Sequence, residues 1–397
     1  MRKLFFLCKN FFITLKLKVR FFFWKKRRTK RNDLPIALFD VEDLIISRRL
    51  TQVVLQFDHI GYSCLVRTKS SSYCKGNSDP WEILFWELTT NWRGETPSIV
   101  VCGKRNERYP DRKRIVFDDD IKAFPLHIKE PFYFPLHIHI KRISERQAER
   151  IPDIPKEMKI GAIFIGNADP KSYLPYEKYI HETFRLPTRL EVLKEIRKNF
   201  PSDVFEPESA EDLWRALEDK SDPLKTKIVL IDKIHIGGMD YLKILRKSVF
   251  HIWTCGDVFP YCHNQPEGML CGVIPIFQKY PLYNGFEDKT NCLEYESFDG
   301  LNKILKMIVS SQFDETELVQ MSQRVEGLYR KLFSDETFLK NVDSFLAGEK
   351  TVETYYVHPN VYKTVNKEKR RRDCGIICDR AVIKRSDGFS ATKVRKK

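Results

Sequence analysis

At 397 residues, with 42% apolar residues and 17 glycines, the chain has the composition of an ordinary globular protein with room for two domains, not that of a fibrous or wholly disordered one. Its formal net charge of +15 is held at the ends: residues 1–31 carry 12 Lys/Arg and no acid, residues 363–397 carry 13 Lys/Arg against 4 acids, and the body between them is −6. That distribution argues against a basic nucleic-acid groove through the fold and suits attachment of basic ends to an anionic surface.

The first 31 residues are read as a basic amphipathic segment. Residues 4–24 are rich in Phe and Leu but are interrupted by Lys9, Lys16, Lys18 and Arg20. The stretch Leu4–Leu15 falls short of the about 20 apolar residues a spanning helix needs. Coiled as a helix, the segment places Arg2, Lys9, Lys16 and Arg20 on one side, and the cluster Lys25–Arg31 follows. This is the pattern of a helix lying in a membrane interface against anionic lipid. The ten cysteines are scattered, and the one close pair in the tail, Cys374 and Cys378, has no second pair at zinc-like spacing. Such usage fits a reducing compartment. The expected location is therefore the cytoplasmic face of a membrane, peripherally bound.

Residues 32–150 read as a first α/β domain. Pro35–Phe39 is an apolar strand ending at Asp40; Glu42–Phe57 has helical spacing; Tyr62–Arg67, Ser98–Cys102 and Arg114–Phe117 are further strand-like runs. Residues 124–143 look like a connector, and Ile151–Lys159, with two prolines, like the hinge between halves. A second domain, 160–350, restarts with the buried strand Ile160–Ile165, a Gly166-Asn167 turn and a helix over Thr188–Phe200. Ile228–Ile231 is a strand, Tyr241–Lys247 a short helix, and Val249–Phe277 a strand, polar loop, helix and strand in succession. Cys292–Tyr295 adds a strand, while Phe298–Ser310 and Glu315–Phe333 are amphipathic helices closing the domain. Residues 363–397 read as a basic disordered tail. Strands alternating with helices in two tandem halves predict an α/β protein of two Rossmann-like domains facing across a cleft.

The run Glu267-Gly268-Met269-Leu270-Cys271-Gly272-Val273-Ile274-Pro275-Ile276 resembles the carboxyl-terminal half of GT-B glycosyltransferases, where a glutamate opens a helix that ends in a Gly-x-Pro turn and a strand. The turn here is one residue longer. Lys243–Gly256 and Thr290–Leu305 are similar to the segments on either side, so the likeness covers roughly residues 160–345. The resemblance implies that Glu267 accepts hydrogen bonds from the donor's ribose hydroxyls. A carboxylate is suited to this, being an acceptor that two vicinal hydroxyls can reach together. A second glutamate eight residues earlier, present in many retaining members, is Phe259 here, so the retaining or inverting outcome stays open.

The remaining donor-site candidates are Gly268 beside Glu267, Gly166-Asn167 at the first turn of the second domain, Gly256 in the loop after Thr254, and the cations Arg185 and Arg189. Glycines allow close backbone approach to a diphosphate, and cations neutralise it as the sugar leaves. Asp40 is the candidate catalytic base, with Asp58 and His59 as other options. No cofactor and no metal is expected. The partners expected are a nucleotide-sugar donor, a glycan or lipid-linked acceptor and an anionic membrane surface, with no nucleic acid. Two alternatives are a metal-dependent GT-A enzyme using Asp118-Asp119-Asp120 and a non-enzymatic binding protein with basic ends. His137 and His139, alternating on a strand-like run, lack a third zinc ligand at suitable spacing.

Overall fold

The computed structural model describes residues 33–42, 46, 48–68, 80–102, 109, 114–118, 155–219, 221, 223–256, 262, 264–280, 285–348 and 353–355. The amino-terminal segment, His137 and His139, Asp119 and Asp120, Phe259 and the basic tail lie outside these residues.

The first sheet is built from β1 (Ile36–Asp40), β2 (Ser63–Arg67), β3 (Thr90–Asn91), β4 (Ile99–Cys102) and β5 (Arg114–Asp118), interleaved with α1 (Arg48–His59) and α2 (Pro80–Leu88). Every pairing is parallel. Strands of this kind are buried on both faces and therefore read as short unbroken apolar runs, as Ile36–Phe39 and Ile99–Cys102 do. Ala37 and Phe39 point into one core with Val53, Phe57, Val66 and Val101, while Leu38, Leu65 and Val100 fill the other face.

The second sheet comprises β6 (Ile160–Ile165), β7 (Val204–Phe205), β8 (Ile228–Ile231), β9 (Ser248–Ile252), β10 (Ile274–Gln278) and β11 (Leu293–Tyr295), again all parallel. After β6 come α3 (Pro170–Tyr173), a 3-10 turn (Leu174–Tyr176) and α4 (Glu177–Phe184), then α5 (Arg189–Asn199). Thr188 opens α5 with a capping box: its hydroxyl accepts from the Glu191 amide, and the Glu191 carboxylate accepts from the Thr188 amide. The domain continues through α6 (Ala210–Glu218), α7 (Gly238–Arg246), α8 (Asn264–Leu270), α9 (Phe298–Val309) and α10 (Glu315–Phe333).

The chain then returns. Ser334 ends α10 and caps α11 (Asp335–Leu346), accepting from the Thr337 amide at 3.1 Å. Phe338, Val342 and Phe345 of α11 belong to the core of the first domain, where Phe338 meets Phe57 edge to face at 5.2 Å. β12 (Glu353–Tyr355) pairs with β5 and completes the first sheet. Residues 335–346, assigned from the sequence to the second domain, thus pack into the first. The reason is that α11 carries its aromatics on a stripe that fits α1.

The strand orders are β12-β5-β4-β1-β2-β3 and β11-β10-β9-β6-β8-β7. The first is the doubly wound Rossmann order, with its sixth strand supplied from the end of the chain. The second exchanges two strands, so that β8 and not β7 lies beside β6. The first order reverses between β1 and β4; in the second, apart from the exchange of β7 and β8, the corresponding reversal lies between β6 and β9. Ligands in open α/β sheets bind outside the carboxyl ends of the strands at that reversal. Two separate sheets exclude a single continuous domain with 114–118 at its centre, and β5 lies next to the outermost strand, so the GT-A alternative loses its structural premise. The stretch 155–159 is fastened to the second domain by Glu157 N–H to Arg246 C=O at 3.2 Å and Lys159 N–H to Lys247 C=O at 2.6 Å. Those residues belong to the second domain and do not act as a free hinge.

Candidate active site

At the reversal of the second sheet, β6 ends in Gly166-Asn167 and β9 runs on through Trp253, Thr254 and Cys255. One side chain spans the gap. Arg189, the first residue of α5 and buried with 4% exposure, donates from Nε to Thr254 Oγ1 at 2.9 Å and from Nη1 to the Asn167 carbonyl at 2.6 Å. Nη1 also reaches the Tyr173 hydroxyl at 2.5 Å, and Nη2 lies 3.8 Å from Cys262 Sγ. The guanidinium stacks over Tyr173 and Phe164, at 4.8 and 5.4 Å from their ring centres. Gly166 lies against this side chain, a Cβ there falling 3.4 Å from Arg189 Nη1, at ordinary contact distance. Its oxygen partners are all neutral, and among the described residues no carboxylate lies within ion-pair distance. A guanidinium removed from water without a counter-ion is costly, and an anion entering the crevice would compensate it.

Glu267 lies on α8, whose first residue, Asn264, donates to the Ile165 carbonyl at 3.2 Å and so ties the helix to the end of β6. The Glu267 carboxylate is fully buried. Gly268, next to it, is fixed by its neighbour: a Cβ would fall 2.6 Å from Nδ1 of His251 on β9. The turn after α8 contains Gly272, whose φ of +64° and close contacts with Ser322 and Glu326 disfavour a side chain. Ser322 Oγ donates to the Gly272 carbonyl at 2.6 Å, locking the turn against α10. The Gly-x-x-Pro turn is therefore a packing solution for α8 against α10.

His251 is wholly enclosed. Its Nδ1 accepts from Trp253 Nε1 at 3.1 Å, which places the imidazole proton on Nε2. Burial, and then the positive charge of Arg189, pull its pKa down to about 3. In the unfolded chain the ring titrates near 6.5. The unfolded state therefore binds the extra proton between these values, and stability is full above pH 6.5 and falls as pH drops toward 3. Between pH 6.5 and 5, unfolding free energy should fall by up to about 1.4 kcal/mol per pH unit from this ring alone. Denaturant titrations at pH 7, 6 and 5 check it. His251→Gln keeps an acceptor for Trp253 and should remove most of one proton from the slope; an unaltered slope would mean His251 is not held neutral.

A cap lies over these strand ends. Tyr179, Ile180, Phe184 and Leu186 pack around Cys255 with Tyr176 and Tyr280, and burial pushes the Cys255 thiol up to about 12. A small pocket of about 10 Å³ is lined by Leu186, Pro187, Val192, Thr254, Gln278 and Tyr295. The cap was not anticipated from the sequence. Its signal was the stripe Tyr176, Tyr179, Ile180 and Phe184 behind an Asp169-Pro170 helix start. Glu177, His181 and Glu191 bring ligand-type atoms within 4.8 Å of one another at its edge. His181 Nε2 lies 3.1 Å from Glu191 Oε2, and that same oxygen accepts from the Thr188 amide and hydroxyl. The set works as a clasp between α4 and α5.

Of the donor-site residues expected from the sequence, Gly166, Asn167 and Arg189 meet at the β6–β9 reversal, while Glu267 and Gly268 lie on α8, which Asn264 ties to the end of β6 and where Gly268 packs on His251. Gly256 follows on the same loop, half buried. Arg185 is not part of the cluster: it is the exposed, left-handed carboxyl cap of α4, with φ of 56°. In the first domain, Asp40 stands at the corresponding reversal but is fully buried. Asp58 and His59 end α1 at the opposite edge of the sheet, where His59 Nδ1 faces Asp335 Oδ2 at 3.6 Å. They are removed from any crevice chemistry. Among the described residues no helix is long and apolar enough to cross a membrane.

No protein-family model and no curated protein matches the sequence. Solved structures are similar in arrangement: HepE of Anabaena in complex with UDP (8% identity, TM-score 0.41, over 79% of this chain and 100% of that one), AviGT4, a glycosyltransferase involved in avilamycin A biosynthesis (10%, 0.38, 79% and 99%), and a glycosyltransferase of Rickettsia africae (11%, 0.35, 81% and 100%).

Proposed function

We propose that the chain is a glycosyltransferase of the GT-B type that moves a sugar, a hexose or a related unit, from a nucleotide-sugar donor to a hydroxyl of a glycan or lipid-linked saccharide. The observation that carries this reading is Arg189, a buried guanidinium at the reversal of a doubly wound sheet with no acidic partner among the described residues. A nucleoside diphosphate supplies the missing charge, and its departure from the sugar is the step at which that charge grows. Glu267 is assigned the ribose hydroxyls from its place on α8, the helix that Asn264 ties to the end of β6. The first domain would take the acceptor, and closing the two domains would exclude water. The basic amphipathic residues 1–31 support attachment to the cytoplasmic face of a membrane.

Binding tests it directly. Titration calorimetry against UDP, GDP and ADP should find one nucleoside diphosphate that binds, with Glu267→Gln weakening it at least tenfold. Absence of binding by all three would overturn the reading.

A further inference from the structure

The reversal of the first sheet holds a second built cluster, assembled from the ends of three strands and one following loop. Asp40 closes β1, Arg67 closes β2, Trp92 follows β3, and Tyr109 follows β4. Tyr109 donates to Asp40 Oδ2 at 3.1 Å, and the Glu42 amide donates to Asp40 Oδ1 at 3.3 Å. Arg67 Nη1 donates to the Tyr109 hydroxyl at 3.4 Å and lies 3.7 Å from Asp40 Oδ2, while its Nε is 3.9 Å from Glu42 Oε1. The guanidinium stands over the Trp92 ring at 5.7 Å. Asp40 has no exposed surface, whereas the Arg67 side chain keeps 30% of its own. Burial of the phenol raises the Tyr109 pKa, so it stays protonated at neutral pH. None of these contacts uses Arg67 Nη2.

We infer that this crevice binds the hydroxyls of a neutral saccharide acceptor through Arg67 and Tyr109, and that Asp40 is a positioning residue holding both, not the base. With Oδ2 engaged by the Tyr109 hydroxyl and Arg67 and Oδ1 by the Glu42 amide, the Asp40 carboxylate fixes the two groups that reach an acceptor. The Arg67 guanidinium, on a side chain 30% exposed, donates, Glu42 accepts beside it, and the phenol does either. A hydroxyl both donates and accepts, so one sugar hydroxyl satisfies the Arg67–Glu42 pair at once. A phosphate only accepts and would be set against the carboxylates that already flank Arg67.

The inference rests on the assignment of the donor to the second domain, and the two are separable by experiment. Saturation-transfer NMR on the full chain would use the methyl glycosides of glucose, galactose, mannose, N-acetylglucosamine and N-acetylgalactosamine, with glucose 6-phosphate alongside. At least one neutral glycoside should bind, more tightly than the phosphate ester does, and Arg67→Gln should weaken it at least tenfold with nucleoside diphosphate affinity unchanged. With that glycoside as acceptor, Asp40→Asn should raise KM about tenfold, leave kcat within about threefold and keep the pH profile of the parent. Nucleotide binding without any glycoside binding, a preference for the phosphate ester, or a collapse of kcat in Asp40→Asn at unchanged KM would each overturn the inference while sparing the donor site. Failure of every nucleotide to bind would instead remove the parent reading.

Discussion

Replacing Arg189 by glutamine should reduce affinity for the nucleoside diphosphate at least 100-fold, about 2.7 kcal/mol, while moving the melting temperature of the unliganded protein only a few degrees. The two effects separate because the cation is held by neutral groups. Removing it forfeits hydrogen bonds to Thr254, Asn167 and Tyr173, and also relieves the burial of a charge with no acid beside it among the described residues. These contributions oppose one another in the free protein. With a diphosphate in place they no longer do, since loss of one partner of a buried ion pair costs about 2–5 kcal/mol. Calorimetry and thermal melting on the same sample decide the matter. A variant that melts far lower yet binds nucleotide as before would make Arg189 a structural strut, and the donor assignment would fall with it.

Phe338→Ala should destabilise the first domain by about 3–5 kcal/mol, the usual loss for a buried phenylalanine cut to alanine. Phe338 is 3% exposed and packs edge to face on Phe57, which in turn meets Phe39 and Tyr62. The residue belongs to the segment that follows the second domain, yet the damage should appear in the first. Denaturant unfolding followed by tryptophan fluorescence reads this: the signal of Trp86, in the first core, should shift to lower denaturant, and that of Trp253, in the second, should hold. Single-tryptophan variants would separate them. Equal shifts of both, or none, would contradict the packing described.

The strands were legible because parallel strands buried on both faces leave unbroken apolar runs. Ile160–Ile165 and Ile228–Ile231 have the bounds the sequence suggests, and α5 begins at its capping box. What escaped notice had weaker local signatures. Helix α2, with Trp81, Ile83, Leu84, Phe85 and Trp86 in near succession, is apolar on most sides and shows no helical period. Helix α11 shows a period, but nothing in its sequence says which domain its aromatics will meet. The site divides in the same way. Glu267 and Gly268 were recognisable by their place in a strand–helix–strand unit. The significance of Arg189 lies in the neutrality of Asn167, Tyr173 and Thr254 around it, which sequence spacing does not carry. Asp40 was rightly placed at a strand end, but its burial depends on Tyr109 and Arg67, brought from other strands.

The return of the chain through α11 and β12 also sets an order of assembly. The second domain has its whole sheet and the helices α5 to α10 once residue 333 has been made. The first domain, though begun earlier, still lacks part of its core and the outer strand beside β5 at that point. As the chain emerges during synthesis, the domain that starts first is the one that finishes last. Until then its Phe39–Phe57 face lacks the packing that Phe338, Val342 and Phe345 supply.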